Sequence, residues 1–109
     1  MARDVGLEEL LRERLASEPG LTEKSMFGGR AWLLNGALLC GARDDGMLVR
    51  LGVDRDGWAL EIPCVAPMIS RGRRMRGWVR AGPAAFGDDA LRGRLIDAAL
   101  RFVRTLPAK

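Results

Sequence analysis

The side chains able to do chemistry in this chain are two cysteines, a set of turn-associated carboxylates and sixteen arginines set around tryptophans. There is no histidine in the 109 residues, which excludes imidazole base catalysis, Ser/His triads and histidine metal ligation. Cys40 and Cys64 belong to no CxxC pair or zinc-type cluster, and their small or apolar neighbours predict buried thiols. Asp44, Asp45, Asp54 and Asp56 stand beside turn or cap positions, where a carboxylate bonds nearby backbone amides, and no calcium-loop ligands follow Asp54, Asp56 and Gly57. Thr22, Ser25, Ser70 and Thr105 would need lysine activation to act as nucleophiles, and Lys24 is the only internal lysine. No catalytic residue, cofactor, metal ligand or small-molecule substrate is expected, and the chain reads as non-enzymatic.

Arginine chemistry remains. The net charge of +4 is carried by sixteen arginines against two lysines, a balance that suits phosphate contacts but also an ordinary cationic surface. Trp32 and Trp78 fall among Arg30, Arg43, Arg50, Arg76 and Arg80. Such a set could stack bases and neutralise phosphates, or hold arginines over tryptophans by cation–π contact. The run Arg71, Gly72, Arg73, Arg74, Met75, Arg76 is the densest positive stretch, read as a solvated basic loop able to grip phosphates.

These side chains need a frame, and 109 residues frame one domain, 1–109. No apolar run approaches the ~20 residues of a membrane span, and the N-terminus lacks the apolar core of a secretory signal, so a cytoplasmic protein is expected. Asp4 can cap a helix with Leu7, Leu10, Leu11 and Leu15 at helical spacing, stopped by Pro19 and Gly20. From Thr22 the pattern becomes strand, with Gly28 and Gly29 read as a bulge or sharp bend within it. Asn35 and Gly36 form a type I′ turn, and Asp45 and Gly46 a second turn.

Two-residue loops set Leu34 opposite Ala37, Trp32 opposite Leu39 and Cys40 opposite Leu51. One face then carries Ala31, Leu33, Leu38, Cys40, Ala42, Met47, Val49 and Leu51, and must lie against helices. The other is mixed: Arg30, Trp32, Leu34, Leu39, Arg43, Leu48 and Arg50. Asp54 caps a short helix ended by Pro63, and two more strands follow. The second of these, 75–81, adds Arg76, Trp78 and Arg80 to the mixed face and Val79 to the core. A helix over about 88–105 ends the chain, with Asp97 and Arg101 paired at i,i+4. The expected fold is a two-layer α+β domain in the order helix, three strands, helix, two strands, helix, its antiparallel sheet covered by helices on one face.

Residues 26–41, then 46–51, Pro67 and Met68, then Arg73, Met75, Gly77, Trp78 and Val79 together resemble the N-terminal domain of the TfoX/Sxy competence regulators. The resemblance implies a fold similar to type III secretion chaperones. It transfers no catalytic residues. Longer members carry a C-terminal domain of helix-hairpin-helix type and regulate natural competence; here a standalone domain is expected. It is read as a regulatory or protein-association module acting through the mixed face on a protein partner or a second copy. Direct nucleic-acid binding by the same arginines and the basic loop is the alternative.

Overall fold

In the computed structural model, which describes residues 4–26 and 28–107, the Asp4 carboxylate starts helix α1 (Val5–Leu15) by accepting from the Leu7 amide at 3.0 Å. The strand expected from Thr22 is a hairpin of β1 (Leu21–Met26) and β2 (Gly29–Leu34). Met26 pairs with Gly29, and Gly28 lies in the turn between the two strands; Phe27 lies outside the described residues. The glycine pair has two separate causes. Gly28 adopts φ +75°, whereas a side chain on Gly29 would overlap the Ala42 carbonyl.

Asn35 (φ 52°) and Gly36 (φ 84°) make the expected turn into β3 (Ala37–Arg43). Leu34 faces Ala37 and Leu33 faces Leu38 as predicted, but the next pair is Trp32 with Cys40. Leu39 is therefore an extra residue, a β-bulge, and beyond it the predicted pairing is displaced by one. The bulge has an energetic reason. A straight register would put Ala31, Leu33 and Leu38 under the helices and turn Trp32, Leu34 and Leu39 outward, so the leucines exchange for leucines and the difference is Trp32 against Ala31. Burial of each large apolar side chain is worth about 1.5–3 kcal/mol, which favours the bulge.

The next turn also moves. Arg43 pairs with Gly46, so Asp44 and Asp45 form the turn and Gly46 is the first residue of β4 (Gly46–Arg50). Gly46 serves packing there: at φ +140°, a Cβ would come within 2.5 Å of the Ala81 carbonyl oxygen. This register sets Val49, not Leu51, opposite Cys40, and leaves Arg50 paired with Trp78.

Helix α2 (Gly57–Leu60) begins after Asp56 rather than at Asp54, which adopts φ +64°. Strands β5 (Val65–Ser70) and β6 (Arg73–Ala81) form a hairpin turned by Arg71 and Gly72, both at positive φ. One-turn α3 (Pro83–Phe86) precedes α4 (Asp89–Val103), where Asp88 caps the Leu91 amide at 3.0 Å. The result is α+β, with a six-stranded antiparallel sheet in the order β1-β2-β3-β4-β6-β5. The first run thus holds four strands rather than three.

Helical residues Leu7, Leu11, Leu15, Ala59, Phe86, Leu95, Ile96 and Val103 share one core with Trp32, Leu39, Met47, Val49 and Val79, so the helices lie on one face, as expected. Ion pairs tie α1 and the loop after it to α4: Arg14 with Asp97 at 2.6 Å and Arg104 with Glu18 at 2.5 Å. Asp97 thus bonds across the fold instead of to Arg101. No helix among the described residues is long and apolar enough to cross a membrane.

Candidate functional site

The face away from the helices holds a second, smaller cluster built wholly from strands. Leu48, Met68 and Trp78 are buried in it, with Leu38 and Met75 packed half-buried at its margin. Of the residues expected on the mixed face, Arg43, Leu48, Arg50, Trp78 and Arg80 meet here, brought together because Leu48 pairs with Arg80 and Arg50 with Trp78. The other five do not. Trp32, Leu34 and Leu39 are in the helical core, at 1%, 3% and 0% exposure, because the bulge at Leu39 inverts the alternation of β2 relative to the rest of the sheet.

Arg30 follows Trp32 to the helical side, where its Nε lies 3.3 Å from Glu23 Oε2 and its Nη1 donates to Ser25 Oγ at 3.1 Å. Arg76 departs for a related reason. The β5–β6 register slips between Pro67 and Ile69, and Gly77 sits at the slip with φ +82°. Met75 therefore joins Trp78, while Arg74 and Arg76 line a small depression with Asp54 and Asp56. The nearest Arg74 nitrogen is 3.6 Å from Asp56 Oδ2. The supposed basic loop is the β5–β6 hairpin, in which Arg71 is a turn residue and Arg73 and Arg74 are exposed strand residues.

The arginines of the open face are engaged within the chain. Arg43 bonds both oxygens of Asp45, at 2.8 and 2.5 Å, which holds the Asp45 carboxyl below its ordinary range and raises the Arg43 guanidinium. Arg80 donates to the Asp45 carbonyl at 3.1 Å, and Arg50 to the Leu38 carbonyl at 3.2 Å. The surface so displayed is an apolar centre of Leu38 and Met75, over Leu48 and Trp78, with a rim of internally bonded cations. Leu38, Met68 and Met75 were missed as members, Leu38 having been expected on the helical face. The membership of Met68 and Met75 depends on the slip at Gly77, for which a glycine inside a strand pattern is the one signal in the sequence, and that of Leu38 depends on the bulge at Leu39.

The cysteines differ from each other and, in part, from expectation. Cys40 is fully buried, and burial pushes its thiol well above the usual range, so it stays protonated. Cys64 is exposed, in a turn at φ +70° just before β5.

Comparison with known proteins bears on this architecture. No curated protein and no solved structure matches the chain. The family model described as the TfoX N-terminal domain matches residues 13–103, from the last turn of α1 to the end of α4 and including both strand clusters. The chain belongs to the TfoX N-terminal domain family.

Proposed function

We propose that this TfoX-like domain is a non-enzymatic association module that docks a protein surface, in the first instance a second copy of itself, on the open face of its sheet. The observation that carries this reading is the state of that face. Its apolar centre is left without a helical cover, while its arginines already bond to Asp45 and Leu38. Bonded guanidiniums are poor phosphate ligands, and Trp78, at 7% exposure, offers little ring for base stacking. This favours a protein over a nucleic acid on the same face. Two copies could meet here through Leu38 and Met75 without opposing free cations, and a self-complementary patch of this kind suits a two-fold dimer. A regulatory role would follow from such docking.

Light scattering after size exclusion tests it, with wild type beside Leu38→Glu. The expected result is wild-type protein at twice the 11.9 kDa chain mass and a folded, monomeric variant. A wild-type monomer at every concentration overturns self-association. A dimer that Leu38→Glu leaves intact places the interface elsewhere.

A further inference from the structure

The outer flank of α4, on the opposite side of the molecule, carries cations that the fold leaves unused. Arg14, Arg92 and Arg104 are each bonded to a carboxylate, Asp97, Asp89 and Glu18 respectively. Arg55, Arg94 and Arg101 have no carboxylate partner among the described residues. Arg94 instead lies over Trp58, its guanidinium carbon 4.4 Å from the ring centroid.

Two depressions meet on this flank at Arg101, which lines both. The larger, of about 370 Å³, is bounded by Arg14, Arg94, Asp97 and Arg101. Gly93 gives it room, since even a Cβ there would touch the Arg14 guanidinium at 3.4 Å. The smaller, of about 160 Å³, is lined by Leu51, Trp58, Ala98 and Phe102 together with Arg55 and Arg101. Together the linings hold four arginines and two aspartates, a surplus of two positive charges. Asp97 does not spoil that surplus, because Arg14 bonds both of its oxygens, at 2.7 and 2.6 Å.

A hollow that exposes two aromatic side chains beside arginines can take a flat ring, and guanidiniums without a carboxylate partner at its mouth can take a dianionic oxyanion. The geometry points to a site for a phosphate monoester carrying a flat ring, of the nucleoside monophosphate class. The ring lies in the smaller hollow against Trp58 and Phe102, and the phosphate lies against Arg94 and Arg101. Arg101 reaches both parts of the ligand. The phosphate matches the surplus charge, and the ring separates this ligand from a simple oxyanion or an acidic peptide side chain. The lining of this site shares no residue with the open sheet face, from which only Arg50 approaches it, 5.8 Å from the centroid of the Phe102 ring, and the site does not depend on the docking proposed there.

Calorimetric titration of the full chain with AMP at moderate salt is the test. Saturable binding is expected with a dissociation constant of about 1 mM or below. Adenosine and inorganic phosphate should each bind at least about tenfold more weakly, because each engages only one of the two depressions. Arg101→Gln, at an exposed helical surface position, should weaken AMP about tenfold with the thermal unfolding midpoint unchanged. No saturable heat up to about 10 mM AMP overturns the proposal. So does equal binding of inorganic phosphate and AMP, or an Arg101→Gln variant that binds AMP as wild type does.

Discussion

Under the helices the sheet presents Trp32, Leu34, Leu39 and Met47 to a continuous core, whereas its opposite face gathers only Leu48, Met68 and Trp78, fenced by arginines bonded to Asp45 and Leu38. Both faces are apolar at their centres. They differ in what closes them: helices seal the first, and the second is bounded by hydrogen-bonded cations. The side chains assigned to each face are set at two irregularities, the extra Leu39 in β3 and the slip at Gly77 in β6. Each reverses the alternation of the strand beyond it, so a local backbone feature decides whether a tryptophan is core or surface.

Substitutions on the two faces should separate widely. Trp32→Ala removes the largest fully buried side chain and is expected to cost about 3–5 kcal/mol in urea unfolding, with Leu38→Ala on the open face nearer 1 kcal/mol. Equal losses would break the distinction between a sealed and an open face. Next in size are the glycines at the irregular positions. Gly77→Ala combines φ +82° with a Cβ only 2.7 Å from the Gly52 carbonyl carbon and the Val53 nitrogen. Strain and collision together should cost more than about 3 kcal/mol. Gly28→Ala, at φ +75° with nothing within 4 Å, should show strain alone, about 1–2 kcal/mol. A similar cost at both sites would show that the crossing at Gly77 is looser than its contacts imply.

Much of the fold is legible in the sequence because the signals are local. Asp4 caps where its spacing to the leucine stripe predicts, the last helix begins close to the expected residue 88, and Asn35 with Gly36 turns the chain as that pair does elsewhere. The site is half legible for a physical reason: strand alternation carries the face assignment only as far as the next irregularity. Cys40, Ala42, Met47 and Val49 lie beyond the bulge and were assigned to the correct face; Trp32, Leu34 and Leu39 were not. No pattern in the residues around Leu39 marks the extra residue. It follows from the gain in burying Trp32, which is a property of the whole sheet. Gly46 illustrates a second kind of misreading. It looked like a turn glycine beside Asp45, yet its smallness serves the contact with Ala81, a partner 35 residues away in sequence that local reasoning does not reach.

The tie between α1 and α4 should be worth less than either face. Arg14 and Asp97 are about half exposed, at 44% and 47% of their side-chain areas. A double-mutant cycle with Arg14→Ala and Asp97→Ala is expected to give a coupling of about 0.2–1 kcal/mol, shrinking at high salt. A larger coupling would make this pair, rather than the apolar contacts of Leu7, Leu11 and Leu15, the main attachment of α1.

The smallest effect probes both sides of the sheet at once through acid. On the helical side Glu23 accepts from Arg12 at 3.0 and 2.7 Å, and that bonding holds its carboxyl below the ordinary 4.5 despite some desolvation. On the open side Arg43 holds Asp45 below the ordinary 3.8 in the same way. A carboxyl lowered in the folded state stabilises above its unfolded value, and the gain is lost as pH falls through the folded one. The chain has no histidine, so no imidazole slope is expected between pH 5 and 8. The unfolding midpoint should begin to fall below about pH 4.5 as Glu23 loses its advantage, and further below about 3.8 as Asp45 does. Arg12→Gln should remove the first component and leave the second, and Arg43→Gln the reverse. An acid slope unchanged in both variants would mean that neither pair holds its face in place, and that apolar burial alone distinguishes the sealed face from the open one.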